Sequence, residues 1–244
     1  MDKDVTIGFL SCKRIEFFKK NFNAFWSLCE DQHRIDSFIV IDDNSSLEDN
    51  HRILELSSKV NIPSIVMHKN ITKGHAQSLN LMMVLCKTKY LLIIEDDWLF
   101  VKGGKFLSWA IDIMSKHTNV KKVCYDFGSS GKRLNEIPEK DIYKENNIEY
   151  FISENYKQND WPSFTFRQGL LDREACIDNI GLFSPNPVFT HDPMHHPPTC
   201  ETDYGVRFNN YGYRTAYMTS TLVQELIGPS CFDLNQINRY NESA

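Results

Sequence analysis

Four short apolar runs mark the first hundred residues: "VTIGFL" (5–10), "SFIVI" (37–41), "SIVMH" (64–68) and "YLLIIE" (90–95). Each is too short for a helix and ends in polar or turn-forming residues, the pattern of a buried strand. Between the first two, Ile15, Phe18, Phe22, Phe25, Trp26 and Cys29 recur at helical spacing and form one apolar stripe. Residues 47–59 and 74–86 predict a second and a third helix, the third apolar on most sides after Ala76 and therefore largely buried. Repeated strand, helix, strand implies an α/β domain of Rossmann-like build: a mixed, mostly parallel sheet with helices on both faces.

After Asp126 the pattern loosens. Residues 127–160 are polar and rich in Lys, Glu and Asn, and they predict loops with a lid. "SFTFRQGLL" (163–171) predicts a strand and turn leading to a helix at 173–180. The proline-rich "FSPNPVFTHDPMHHPPTC" reads as irregular, and the chain resumes with a helix at 201–210, a glycine-marked turn and a strand at 214–218. One catalytic domain in two halves, 1–126 and 127–244, is the simplest division of 244 residues.

Composition narrows the function. With 41% hydrophobic and 24% charged residues the chain is globular, and its net charge of -5 argues against a nucleic-acid partner. No basic, apolar leader opens the chain, and no apolar run reaches the roughly 18–20 residues that cross a bilayer, so no signal peptide or transmembrane segment is expected. A cytoplasmic or host-cytoplasmic setting follows. Seven widely spaced cysteines without a CxxC pair predict reduced, buried thiols rather than a zinc site.

In parallel α/β sheets ligands sit at the carboxyl ends of the strands. Those ends carry residues 11–14, 42–45, 68–73 and the acidic run Glu95, Asp96 and Asp97. Three consecutive carboxylates against an apolar strand repel one another, and partial burial makes each charge costlier, so a cation or a set of donors must offset them. A hard divalent ion, Mn2+ or Mg2+, suits oxygen ligands and completes its shell with phosphate oxygens. Asp97 is the favoured direct ligand, with Glu95 beside it and Asp96 orienting through hydrogen bonds; the bland reading is three solvated acids capping a turn. "IDDNSS" (41–46) offers groups for a nucleoside, or simply the N-cap of the next helix. Lys73, with Gly74 before a helix start, and Lys13 and Arg14 can meet a diphosphate. His191, Asp192, His195 and His196 fit no trusted zinc spacing. Trp98, Trp161, Phe164 and Phe166 can stack on a sugar or fill the core.

Together these motifs resemble the nucleotide-sugar glycosyltransferases of the GT-A fold, most closely the inverting family 2 group, over nearly the whole chain. The resemblance implies a nucleotide-contacting loop at Leu10, Ser11 and Arg14, and an acidic pair, Asp42 and Asp43, of which the second faces the base. A pattern like N-x-x-x-G-x-x-x-A-R-N maps onto Asn70, Gly74, Ser78, Leu79 and Asn80, with Leu79 where the family has Arg. The DxD-like motif maps onto Glu95, Asp96 and Asp97, with Glu95 where the family has Asp and the last residue, Asp97, the usual metal ligand. A late helix supplies the base: aligning Asp203, Gly205, Arg207 and "YGYR" puts Glu201 there, Asp203 in reserve, and Cys200 where the family has an acid. The resemblance thus implies a nucleoside diphosphate sugar donor, a UDP-sugar first, and a glycan or other hydroxyl acceptor. Retention of configuration, a metal-dependent nucleotidyltransferase and a non-catalytic nucleotide-sugar binder stay open as alternatives.

Overall fold

The structure, a computed structural model, describes residues 3–69, 74–127, 137–153, 164–188 and 199–226. Their elements, in chain order, are β1 (Val5–Ser11), α1 (Ile15–Leu28), β2 (Ile35–Asp43), α2 (Leu47–Ser58), β3 (Ser64–Lys69), α3 (His75–Leu85), β4 (Tyr90–Glu95) and β5 (Trp98–Phe100). They continue with α4 (Phe106–Lys116), β6 (Val120–Cys124), β7 (Tyr143–Glu145), β8 (Ile148–Ile152), β9 (Gly169–Asp172), α5 (Arg173–Asn179), α6 (Cys200–Asn210), β10 (Arg214–Met218) and β11 (Val223–Glu225). The main sheet of the described residues has the order β3-β2-β1-β4-β9-β6-β10-β8-β7, and β11 pairs with β5 in a small second ribbon. Strands β1 to β4 are mutually parallel, whereas β9 runs antiparallel to both β4 and β6. Strands from after residue 126 therefore interleave with those before it.

The strands read as continuous apolar runs because both faces of the sheet are covered. Alternate residues serve two cores. Phe38 and Val40 of β2 and Leu92 and Ile94 of β4 pack with Phe18, Phe22 and Phe25 of α1 and Phe106 and Ala110 of α4. Ile39, Ile41, Leu91 and Ile93 pack on the other face with Leu79, Met82 and Met83 of α3, Cys176 of α5, and Tyr204 and Phe208 of α6. The result is a three-layer sandwich, and no helix of the described residues is long and apolar enough to cross a membrane. Among the described cysteines all six are free, four of them buried.

The second half departs from the expected loops. Within 127–160, Tyr143–Glu145 and Ile148–Ile152 form a hairpin at the sheet edge. Its turn is Asn146 and Asn147, both at positive φ (48° and 63°), the backbone that a tight two-residue connection requires and asparagine tolerates. Ile148, Tyr150 and Ile152 face inward, so the Lys- and Glu-rich surroundings hide a strand of ordinary alternation.

Two glycines set how closely the layers approach. A Cβ on Gly169 of β9 would stand 2.4 Å from the Val123 carbonyl oxygen, and one on Gly8 of β1 would stand 2.0 Å from the Met82 sulfur. Backbone of a neighbouring strand cannot retreat, but a methionine side chain can swing. Gly169→Ala is expected to cost about 3 kcal/mol in urea unfolding and Gly8→Ala about 1 kcal/mol. Equal losses would contradict this account.

Candidate active site

Register brings the predicted strand ends together. Ser11 stands beside Asp42, Asp42 beside His68, and Leu10 beside Glu95, so the carboxyl edges of β1 to β4 form one shelf. Leu10 is half-buried against the α3 core, and Ser11 is buried with its Oγ lacking a hydrogen-bond partner among the described residues.

The two acids after β2 divide their work. Asp42 is fully buried; Ser45 Oγ donates to its Oδ1 at 2.5 Å, and His68 Nδ1 lies 2.7 Å from its Oδ2. Ser45 Oγ in turn accepts from Lys13 N at 2.8 Å, which fixes the loop after β1 where Lys13 takes a positive φ of 57°. Asp43 is half-buried, and Ser78 Oγ of α3 lies 3.5 Å from its Oδ2. Ser46 caps α2, accepting from Asp49 N at 3.0 Å. One short motif thus supplies a loop brace, a group at the crevice and a helix cap.

Across the shelf, Gly74 opens α3 at φ 83°, a backbone that glycine alone adopts readily. Lys73 and Asn70 lie outside the described residues. Leu79 is fully buried, so the position where the family has Arg belongs to the core. Asn80 is pinned by a reciprocal pair of 2.8 Å bonds with the backbone of Phe183, which ties α3 to the second half of the chain.

The acidic run splits three ways. Glu95 Oε1 pairs with His75 Nε2 at 2.9 Å. Burial pulls the Glu95 carboxyl upward, but His75, with Lys122 and Arg14, outweighs it and holds the group below the usual range. Asp96 is almost fully buried, accepts from Cys12 N at 3.1 Å and pairs with Arg14; burial pushes it up to about 7 against the pull of that guanidinium. Asp97 is more open, and Arg14 Nη1 and Nη2 both donate to its Oδ2 at 3.3 Å. Burial, and then the charge of Glu95, raise its pKa. Its Oδ1 has no hydrogen-bond donor among the described residues. Arg14 therefore offsets the repulsion between neighbouring acids. Among the described residues no group of three or more His, Cys, Asp and Glu side chains is arranged to hold a metal.

From the second half, α6 starts in a capping box: Thr199 Oγ1 accepts from Thr202 N, and Thr202 Oγ1 accepts from Thr199 N. Glu201, half-buried in the first turn, accepts from Phe166 N at 2.7 Å through Oε1. Phe166 packs edge-on against His75, with centroids 4.8 Å apart, so Glu201 and Glu95 flank one cluster. Burial, then Glu201, push the Cys200 thiol up to about 12.

Asp203 behaves differently. It is buried, accepts from Val188 N at 3.2 Å and from Arg207 Nε at 3.0 Å, while Arg207 also binds the carbonyls of Ile180 and Leu182. This clasp fastens α6 to the preceding segment. Asp203→Ala is expected to cost about 3–4 kcal/mol in urea unfolding, because it leaves a guanidinium without its buried partner.

Of the aromatic candidates, Phe164, Phe166 and Trp98 are buried in the cores, and the Arg167 guanidinium lies 5.1 Å from the Trp98 ring while pairing with Asp126 at 3.3 Å. Trp161, His191, Asp192, His195 and His196 lie outside the described residues. His75 and Lys122 are the residues that sequence reasoning missed. His75 opens a helix beside the acidic run, and Lys122 stands opposite Leu171 of β9 on the face packed by α5 and α6. A register shift in the pairing of β6 with β10 interrupts the alternation of β6, so the sequence carried no signal for Lys122.

No protein-family profile and no curated protein sequence matches the chain. Solved structures do. TarS from S. aureus superposes with a TM-score of 0.63 at 13% identity over 94% of this chain and 38% of that one. TarS 1-349 in complex with UDP-GlcNAc gives 0.63 at 12% identity over 93% and 59%. The mannosyltransferase PcManGT from Pyrobaculum calidifontis, in complex with GDP-Man and Mn2+, gives 0.58 at 13% identity over 88% and 55%. The chain thus spans well under two thirds of the length of each. At such identity the likeness speaks for architecture alone: this chain has the same mixed α/β fold as these solved structures.

Proposed function

We propose that the chain is an inverting glycosyltransferase of the family 2 type, working in the cytoplasm. It moves a monosaccharide from a nucleoside diphosphate sugar, a UDP-sugar first, to an acceptor hydroxyl with the help of Mn2+ or Mg2+. The observation that carries this reading is the meeting of Glu95, Asp96 and Asp97 with the loops after β1 and β2 on one side and with Glu201 on the other. Neighbours of the same fold were crystallised with UDP-GlcNAc and with GDP-Man and Mn2+, which supports the donor class.

In this reading Leu10, Ser11 and Asp43 line the nucleoside end, Asp42 braces their loop, and Gly74 and Lys73 face the diphosphate. Asn80 anchors α3. The orphaned Oδ1 of Asp97 fits a hard divalent ion that takes its remaining ligands from phosphate and water, and Glu95 is the second carboxylate within that shelf. Such an ion, when bound, neutralises charge on the departing diphosphate. Arg14, now shared by Asp96 and Asp97, holds the acids in place and contributes positive charge at the same end. Glu201 takes the proton of the acceptor hydroxyl, and Asp203 positions its helix.

The test is thermal unfolding with UDP-GlcNAc and GDP-mannose, with and without Mn2+. A ligand at about 100 times its dissociation constant stabilises by about 2.7 kcal/mol, a rise of roughly 5–10 °C for a domain of this size. One nucleotide sugar is expected to give a metal-dependent rise of that order and to be turned over. A rise without turnover would favour the non-catalytic binder, and no rise with any nucleotide sugar would sink the reading.

A further inference from the structure

Lys122 of β6 is fully buried on the sheet face covered by α5 and α6. Its neighbour Lys121 turns instead to Asp172, 3.0 Å away. Lys122 Nζ lies 4.8 Å from the centroid of the Phe164 ring and has no hydrogen-bond acceptor among the described residues. The charged and titratable groups facing it are Glu201 on α6, Glu95 at the end of β4, Cys124 on its own strand and Cys176 on α5. Burial lowers the pKa of its ammonium, and Cys124 and the carboxylates Glu201 and Glu95 oppose that fall.

A buried ammonium without an acceptor is costly, and an apolar side chain of similar length would ordinarily serve the core better. Here the two carboxylates change the balance. They stand at the ends of one continuous network: Glu95 Oε1 meets His75 Nε2 at 2.9 Å, His75 packs on Phe166 at 4.8 Å, and Phe166 N donates to Glu201 Oε1 at 2.7 Å. That network carries two negative groups from opposite halves of the chain, and Lys122 reaches it through Phe164, whose ring packs on Phe166 with centroids 5.8 Å apart.

We infer that Lys122 is a positioning residue, whose buried ammonium is the fixed counter-charge that holds Glu201 and Glu95 together on either side of His75 and Phe166. It closes a direct ion pair with neither, so it compensates the site without occupying the carboxylates. The catalytic consequence rests on the reading of Glu201 as the base, whereas the electrostatic claim can be tested without any substrate.

The experiment is a double-mutant cycle of Lys122→Met, Glu201→Gln and the combined variant, read as urea midpoints of the full chain. Lys122→Met is expected to lower the midpoint, and adding Glu201→Gln to recover about half of the loss or more, because the stranded negative charge is then gone. Purely additive effects would overturn the inference. So would failure of both the Lys122→Met and the combined variant to fold, since the defect would then be packing rather than charge. Recovery of folding by the combined variant alone would support it.

A second readout separates positioning from simple support. With UDP-GlcNAc or GDP-mannose and Mn2+, folded Lys122→Met is expected to lose at least about tenfold in kcat while donor KM stays within about threefold. An unchanged kcat would overturn the inference. If wild type turns over no nucleotide sugar, the proposed function falls, and the stability cycle alone decides the counter-charge.

Discussion

Asp97→Ala is expected to abolish the Mn2+-dependent part of donor binding and to lower turnover by roughly 10³-fold. A bound cation contributes several kcal/mol of charge stabilisation to the transition state, and about 4 kcal/mol corresponds to that factor. Folding should survive the change. Arg14 keeps Asp96 as its partner, and Asp97 is the acid whose ionisation is disfavoured by burial and by Glu95. Removing it relieves the repulsion with Glu95, and the partly buried guanidinium it leaves keeps a carboxylate partner in Asp96. The metal-free variant is therefore expected to match or exceed wild type in urea midpoint. That split, stability held while metal response vanishes, is the diagnostic result. A variant that still responds to Mn2+ with wild-type amplitude would move the metal site away from this carboxylate.

Glu201→Gln is expected to reduce transfer by roughly 10²–10⁴-fold, the range supplied by a positioned general base. Glutamine keeps the shape and can still accept from Phe166 N, so the loop before β9 and the start of α6 stay in place. Donor binding should be unchanged, because Glu201 lies across the cluster from the nucleotide shelf. The measurement is steady-state transfer beside nucleotide-dependent thermal shift for the same preparation. A fall in donor affinity equal to the fall in turnover would make Glu201 a ground-state binding residue. Full activity would move the proton-accepting role elsewhere.

The parts of the fold that could be read from the chain are those where one local rule decides the outcome. β1 to β4 are continuous apolar runs, and α1 carries an unbroken stripe, so their periodicity alone assigns them. β9 is different. "GLLD" is four residues long, and nothing within it tells that it runs against the direction of β4 and β6 and fits between them. Its place depends on Gly169, whose missing side chain lets it lie against Val123. The hairpin at 143–152 was obscured by its composition, although the Asn146–Asn147 turn and the inward alternation of Ile148, Tyr150 and Ile152 are ordinary strand signals.

The candidate site shows the same division. Strand ends can be located from periodicity, and with them the acids after β2 and β4. Partners cannot, because they depend on register across strands that are far apart in sequence. Asp42 and Asp43 are chemically alike and adjacent, yet one is spent on Ser45 and His68 while the other faces α3. Glu201 and Asp203 differ in the same way, since only Asp203 has Arg207 one helical turn away. A pair of like residues in a motif acquires separate roles only when the neighbouring chain is known.

The antiparallel strand between β4 and β6 has a consequence for how the protein is made. Until residues 169–172 emerge from the ribosome, β4 and β6 each lack the strand that lies between them. Most of the native contacts across the middle of the molecule span large distances in sequence, so folding must wait for late synthesis and should be slow. A nascent chain halted shortly after Asp126 would expose two sticky margins, and such margins recruit other chains. A greater need for chaperones during expression is the expected consequence of this strand order.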